Sequence, residues 1–328
     1  MKPLLLFTCL SYLLSASCSL WSQDPQQQIE GMHSAFVPYF TGPILTPSAH
    51  NASPGEFLIQ PYIFLKNRYA EFNNSRHSEN ITNLFTLKES LVYQMGLSDL
   101  LDFAAVLNAE QRWQGGEQSS GLGDTQIEFG IQLMKEKQSR PALRLTMTES
   151  LPTGKYQNLT PGKENLQAIG SGSYETSIAF NVTKTLYWMW RHPLSVRASL
   201  QYTIPAPLNV QGCNAYGGGS ETKGRVRPGQ SVGINTSIEI SLTQKWALAC
   251  DLAYAYQSRS RFSSKKAGSN RSKKTQMLLP PNDTLSCAPA IEYSVSENMG
   301  FLAGAWFTIT GRNSARFAAG VLTMTYSW

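Results

Sequence analysis

The chain has 328 residues, 41% hydrophobic, 11% aromatic and only 15% charged, with a net charge of +6. Ordinary soluble domains carry about 25% charged residues, yet no window supplies the roughly 18 continuous apolar residues of a membrane-spanning helix. A polytopic helical membrane protein and a coiled coil are excluded by this pattern, and a disordered chain by 14 Phe, 14 Tyr and 7 Trp, which leaves a large all-β protein.

The first predicted element is a leader. Lys2 precedes an apolar stretch at residues 4–14, and the small residues Ser15, Ala16 and Ser17 follow, as in a secretory signal peptide over residues 1–20. Cys18 raises lipidation as an alternative, although Ser15 stands where a lipoprotein signal carries Leu. Residues 21–54 are rich in Pro, Ser and Gln and show no strand pattern.

From residue 55 onward, period-two alternation takes over. It predicts twelve strands, at 55–66, 81–95, 101–113, 123–134, 141–151, 173–187, 194–206, 229–242, 246–258, 283–294, 299–310 and 315–328. The clearest is 229–242, where Val232, Ile234, Ile238, Ile240 and Leu242 share one face. In 246–258, Trp246, Leu248, Cys250, Leu252, Tyr254 and Tyr256 alternate with Ala247, Ala249, Asp251, Ala253 and Ala255. Most of these strands reach the roughly 9–11 residues needed to cross a bilayer at a tilt, against about 5–6 in globular sheets.

Connection lengths add an independent signal. Long or medium connections (67–80, 114–122, 152–172, 207–228, 259–282) alternate with short ones (96–100, 135–140, 188–193, 243–245, 295–298), and only the final hairpin, 311–314, breaks the rule. All long loops then fall at one end, as in an outer-membrane barrel with short periplasmic turns. The expected fold is an all-β, transmembrane, antiparallel up-and-down β-barrel of about 12 strands over residues 55–328. Residues 21–54 either lie in the periplasm or plug the lumen.

The polar strand faces carry Glu128, Arg144, Arg197, Glu239, Asp251 and Glu292, which are the candidate lumen-lining residues. Tyr187, Trp188, Trp190, Trp246, Tyr254, Tyr256, Trp306 and Trp328 lie near strand ends and fit interfacial girdles, or else core aromatics. Twelve strands about 4.8 Å apart and tilted about 40° give a backbone radius of roughly 12 Å, hence a narrow bore. The final strand ends in alternating Leu322, Met324, Tyr326 and Trp328. This pattern resembles the C-terminal signal read by the barrel-assembly machinery.

Residues 121–133 (GLGDTQIEFGIQL) and 141–156 (PALRLTMTESLPTGKY) resemble the outer-membrane family named after the meta-cleavage pathway of phenol degradation. Residues 40–64 also look like the approach to the first strand in related bacterial proteins. The resemblance runs loosely over residues 36–328 and implies a β-barrel that transports small, often hydrophobic or aromatic, compounds. The same motifs have a structural reading. Gly121 and Gly123 allow a tight joint and Asp124 hydrogen-bonds a turn, while Pro152 stops a ladder and Gly154 opens a loop.

Signals for reaction chemistry are weak. His33, His50, His77 and His192 show no metal-ligand spacing, no G-x-S-x-G elbow exists, and no strand puts a His on its lipid face as a membrane lipase would. No cofactor, metal or enzymatic role is expected. Cys213, Cys250 and Cys287 form an odd set that allows one bridge of unspecified pairing. Arg259, Arg261, Lys265, Lys266, Arg271, Lys273 and Lys274 have no acid among them and outnumber the whole net charge of +6. The high pI is therefore local, and nucleic acid is not an expected partner. This outer loop could meet lipopolysaccharide phosphates or host glycans, or simply be solvated. The primary expectation is a narrow outer-membrane channel for small solutes. The alternative is a surface adhesin or structural barrel acting through residues 259–274.

Overall fold

The computed structural model describes residues 36–187, 192–266 and 274–328. The leader, Cys18, His33, Trp188, Trp190, Arg271 and Lys273 lie outside the described residues, as do the side chains of Lys265, Lys266 and Lys274.

In chain order the strands are β1 (Phe57–Phe72), β2 (Ser78–Gly96), β3 (Leu101–Gln114), β4 (Glu117–Leu122), β5 (Thr125–Met134), β6 (Ala142–Leu151), β7 (Glu175–Leu186), β8 (Leu194–Pro205), β9 (Leu208–Gln211), β10 (Thr222–Arg227), β11 (Ser231–Ser241), β12 (Trp246–Gln257), β13 (Ser260–Lys266), β14 (Lys274–Leu279), β15 (Asn282–Ser294), β16 (Met299–Arg312) and β17 (Ser314–Ser327). Twelve of them form a closed antiparallel barrel, and the ring is completed where β17 pairs with β1 from Leu58↔Ser327 to Phe72↔Ser314. Each strand predicted from alternation overlaps one strand of this wall.

Four connections differ from expectation. β1 and β2 continue past the predicted ends, so the supposed long loop at 67–80 shrinks to residues 73–77. A bulge between Arg68 and Ala70 breaks the alternation there and hides the continuation from a period-two reading. The 114–122 connection is a hairpin of β3 and β4, turning at Gly115 and Gly116 with φ of 60° and 84°. Two successive positive φ values suit glycine at a tight hairpin turn. Finally, the outer segments 207–228 and 259–282 are not bare loops. Their strands β9, β10, β13 and β14 form a separate four-stranded sheet over a small core of Leu208, Val210, Val226 and Phe262. The basic segment is thus partly built into strands, which corrects its reading as an unstructured loop.

The two faces of the wall have opposite chemistry. Leu107, Met147, Ile178, Leu200, Ile238 and Leu322 are exposed on the outer face. Ser177, Asn181, Thr183, Ser199, Ser237, Glu239 and Asp251 are buried on the inner face. An apolar belt on this scale would be a severe liability in water and matches a hydrocarbon surround. The inner face is mostly Ser, Thr and Ala, with one apolar patch where Ile44 packs on Ala249, Ala288, Ala290, Leu302 and Val321. Trp306 belongs to that inner patch and not to a girdle, because it shares strand parity with the inward Leu302.

Two prolines interrupt the ladder. Pro61 faces Leu91 of β2, but the β1–β17 register skips from Ile59↔Tyr326 to Tyr62↔Thr323. Pro289 faces Cys250 of β12, and the β15–β16 register skips from Cys287↔Phe307 to Ala290↔Gly304. Proline has no N–H to donate, so the β16–β17 hairpin is bordered by a gap on each side.

Candidate functional site

Residues 37–56 form no strand, so their N–H groups need other acceptors once enclosed. The inner face of the barrel supplies them. Thr41 N–H donates to Glu292 at 2.8 Å. Ile44 and Leu45 N–H groups donate to Asp251 Oδ2 at 2.9 and 3.2 Å, and Thr46 N–H donates to Oδ1 at 3.0 Å. Further along, Ala49 N–H donates to Thr183 Oγ1 at 2.9 Å, and Asn51 N–H to Gln132 Oε1 at 2.8 Å. These acceptors stand on β15, β12, β7 and β5, so the segment crosses the interior from one side of the wall to the other.

The six residues singled out by alternation all sit on the inner face and fall into three groups. Arg144 donates to Asp102 at 2.8 Å, to Glu128 at 3.1 Å and, through Nε, to Asn51 Oδ1 at 2.8 Å. Arg197 Nε lies 2.8 Å from Glu239, which also accepts from Ser195 Oγ at 3.0 Å. Gly42, at φ 103°, passes this guanidinium so closely that an added Cβ would lie 3.0 Å from Nη1. Asp251 and Glu292 are the third group, and each binds the backbone of the crossing segment. Side-chain exposure is 0% for Asp102 and Glu239, so these charges survive only because they are paired and hydrogen-bonded.

The two sequence motifs meet at the outer end. Asp124 accepts from the N–H of Gly154 at 2.9 Å and of Ser171 at 2.7 Å. Thr153 Oγ1 donates to Gly123 O at 2.7 Å. Asn108 on β3 receives the Gly123 N–H at 2.8 Å, which fixes the break between β4 and β5. Asp124 therefore clips both ends of the long connection after β6 to the wall, more than the local turn bond its sequence context suggests. Within that connection, one helical turn, Glu164–Gln167, sits beside Arg112, which donates to the carbonyls of Asn165 and Ala168.

The other residues scatter. Among the described residues no group of three or more His, Cys, Asp or Glu could hold a metal ion. His50 Nε2 lies 3.1 Å from Glu136 in the β5–β6 turn. Burial pushes the Glu136 carboxyl up, but His50, the Thr185 N–H and Lys184 outweigh it and hold it below the usual range. Cys213, Cys250 and Cys287 are free, the last two with sulfurs 3.7 Å apart. Arg259 and Arg261 are exposed. Tyr326 and Trp328 stack at 5.5 Å between ring centroids.

Alternation missed Asp102, which sits one residue into its strand, and it missed the inward cations Lys66, Lys88 and Arg112. Their even-numbered parity on the first three strands was the available signal.

The profile of the protein family described as "Putative MetA-pathway of phenol degradation" matches residues 72–324. The chain belongs to this family. No match was found among curated protein sequences. Among solved structures, this family member is similar to the COG4313 outer membrane channel from Pseudomonas putida F1. The TM-score is 0.64 at 13% identity, covering 87% of this chain and 100% of that one. A more distant likeness, with a TM-score of 0.43 at 10% identity, links it to the Pseudomonas putida toluene transporter TodX, over 89% of this chain and 98% of that one.

Proposed function

We propose that the protein is a bacterial outer-membrane channel for small solutes whose bore is narrowed by its own residues 37–56. The reading rests on one observation above all: Asp251 and Glu292 bind the backbone of this segment inside a closed, lipid-faced barrel. Such a segment constricts the path, and of the paired charges beside it Glu128 and Arg197 keep access to what remains, while their partners Arg144 and Glu239 are enclosed. Transport asks for no reactive residue, only a lined route and a constriction. The similar channel from Pseudomonas putida F1 supports the reading at the level of fold.

Residues 37–54 then belong to the plug, and the outward Tyr326 and Trp328 present an aromatic strip to the assembly machinery and the lipid interface. The outer basic segment, with Arg259 and Arg261 exposed, faces lipopolysaccharide phosphates. Planar-bilayer recording of the purified, folded chain tests the proposal. Small conductance steps are expected, and complete absence of conductance and of solute flux in liposomes would overturn it.

A further inference from the structure

Just above the constriction the inner wall turns basic and aromatic at once. Register places Phe64 opposite Lys88 and Lys88 opposite Glu110, with Lys66 opposite Thr86 and Thr86 opposite Arg112 one rung higher. Lys66, Lys88, Glu110 and Arg112 therefore share the inner face of three adjacent strands, β1 to β3. Arg112 satisfies Glu110 through two hydrogen bonds, of 2.6 and 2.8 Å. Among the described residues no carboxylate lies within 4.0 Å of the Lys66 or Lys88 ammonium. Two positive charges are left facing the lumen without an anion.

The aromatic part adjoins them. Lys66 Nζ lies 4.0 Å from the Phe317 ring centre and 5.7 Å from that of Trp306. Those two rings meet edge to face at 4.8 Å and 79°. Phe64 and Trp306 also pack against the apolar cluster that contains Ile44 of the crossing segment, which makes an apolar floor. Across the barrel, Ala253 and Ala255 of β12 are the inward residues, and Ala255 is exposed, so small side chains leave the upper lumen open there.

We infer that this part of the lumen is a binding site for small aromatic carboxylates. The carboxylate would take the place of the missing anion between Lys66 and Lys88, where charge-assisted hydrogen bonds are strongest. The ring would lie against Trp306 and Phe317 in the offset or edge-on geometry that aromatic pairs favour. A neutral aromatic leaves the ammoniums unpaired, and an aliphatic acid leaves the rings uncovered. The inference names the solute class for the channel reading above and rests on it for its physiological meaning.

Isothermal calorimetry on the detergent-folded full chain tests it with benzoate, acetate and benzyl alcohol as probes. Benzoate is expected to bind at least tenfold more tightly than either of the others. Lys66→Met and Lys88→Met are each expected to weaken benzoate about five- to tenfold and leave benzyl alcohol unchanged, while Lys66→Arg retains benzoate. Benzoate binding no tighter than acetate or benzyl alcohol, or unaltered in both Met variants, would overturn the site. Calorimetry needs no ion flow, so a chain that binds benzoate but conducts nothing defeats the channel reading alone.

Discussion

Asp251 on β12 accepts a 2.6 Å hydrogen bond from the hydroxyl of Thr46, two hundred and five residues earlier in the chain. Together with the three neighbouring N–H groups, it is the firmest hold the wall has on the crossing segment. Hydrogen bonds to a charged acceptor are worth about 1.5–3 kcal/mol each. Asp251→Ala is therefore expected to release residues around Thr46 and raise single-channel conductance several-fold. Gel mobility of the folded barrel should not change. A variant with wild-type conductance would show that the segment does not limit the bore.

The Arg144–Asp102 pair is fully enclosed, with side-chain exposures of 5% and 0%. Removing one partner of such a pair typically costs about 3–5 kcal/mol, because the other charge is left buried alone. Asp102→Ala should lower unfolding stability in detergent by that amount. Glu128 is more open to water at 27%, so Glu128→Ala should cost no more than about 1 kcal/mol. Equal losses would refute this ranking.

At the outer end, Gly154 and Gly170 pass so closely that a Cβ on Gly154 would come within 2.6 Å of the Gly170 Cα. Backbone cannot yield as a side-chain tip can. Gly154→Ala and Asp124→Ala should both free residues 152–174, seen as roughly tenfold faster cleavage by protease added to intact cells. Cleavage at the wild-type rate would mean that the clip is not what orders the connection.

Acid should loosen the His50–Glu136 contact. The Glu136 carboxyl is held below its ordinary value of 4.5, so the stabilisation it provides is present above that value and disappears as pH falls through the lowered one. Hydrogen exchange at residues 48–52, corrected for intrinsic rates, should rise only below about pH 4.5. In Glu136→Gln it should be raised throughout and flat with pH, and a wild-type profile in that variant would contradict the assignment.

The wall was legible in the sequence because lipid and lumen impose opposite chemistry on alternate residues. Ile238 and Glu239 are neighbours, yet one is exposed and the other buried. The course of residues 37–56 was not legible, because Asp251 and Glu292 mostly bind main-chain N–H groups, and the few side chains that join in, Thr46 and Asn51, follow no periodic pattern. The inner charges were found where alternation was clean, as at Glu239 and Asp251. Arg68 was missed because it lies beyond the predicted end of the first strand at residue 66, although it keeps the register of Phe64 and Lys66 up to the bulge. Trp306 was misplaced because an aromatic near a strand end looks the same from either face.

A closed ring has no free edge from which to unravel, so mechanical load must part it along some seam. The gaps at Pro61 and Pro289 put two such seams on either side of a single hairpin, β16–β17. Pulled outward, the cylinder would shed that hairpin as one piece, like a stave from a cask, while the remaining strands keep their rungs.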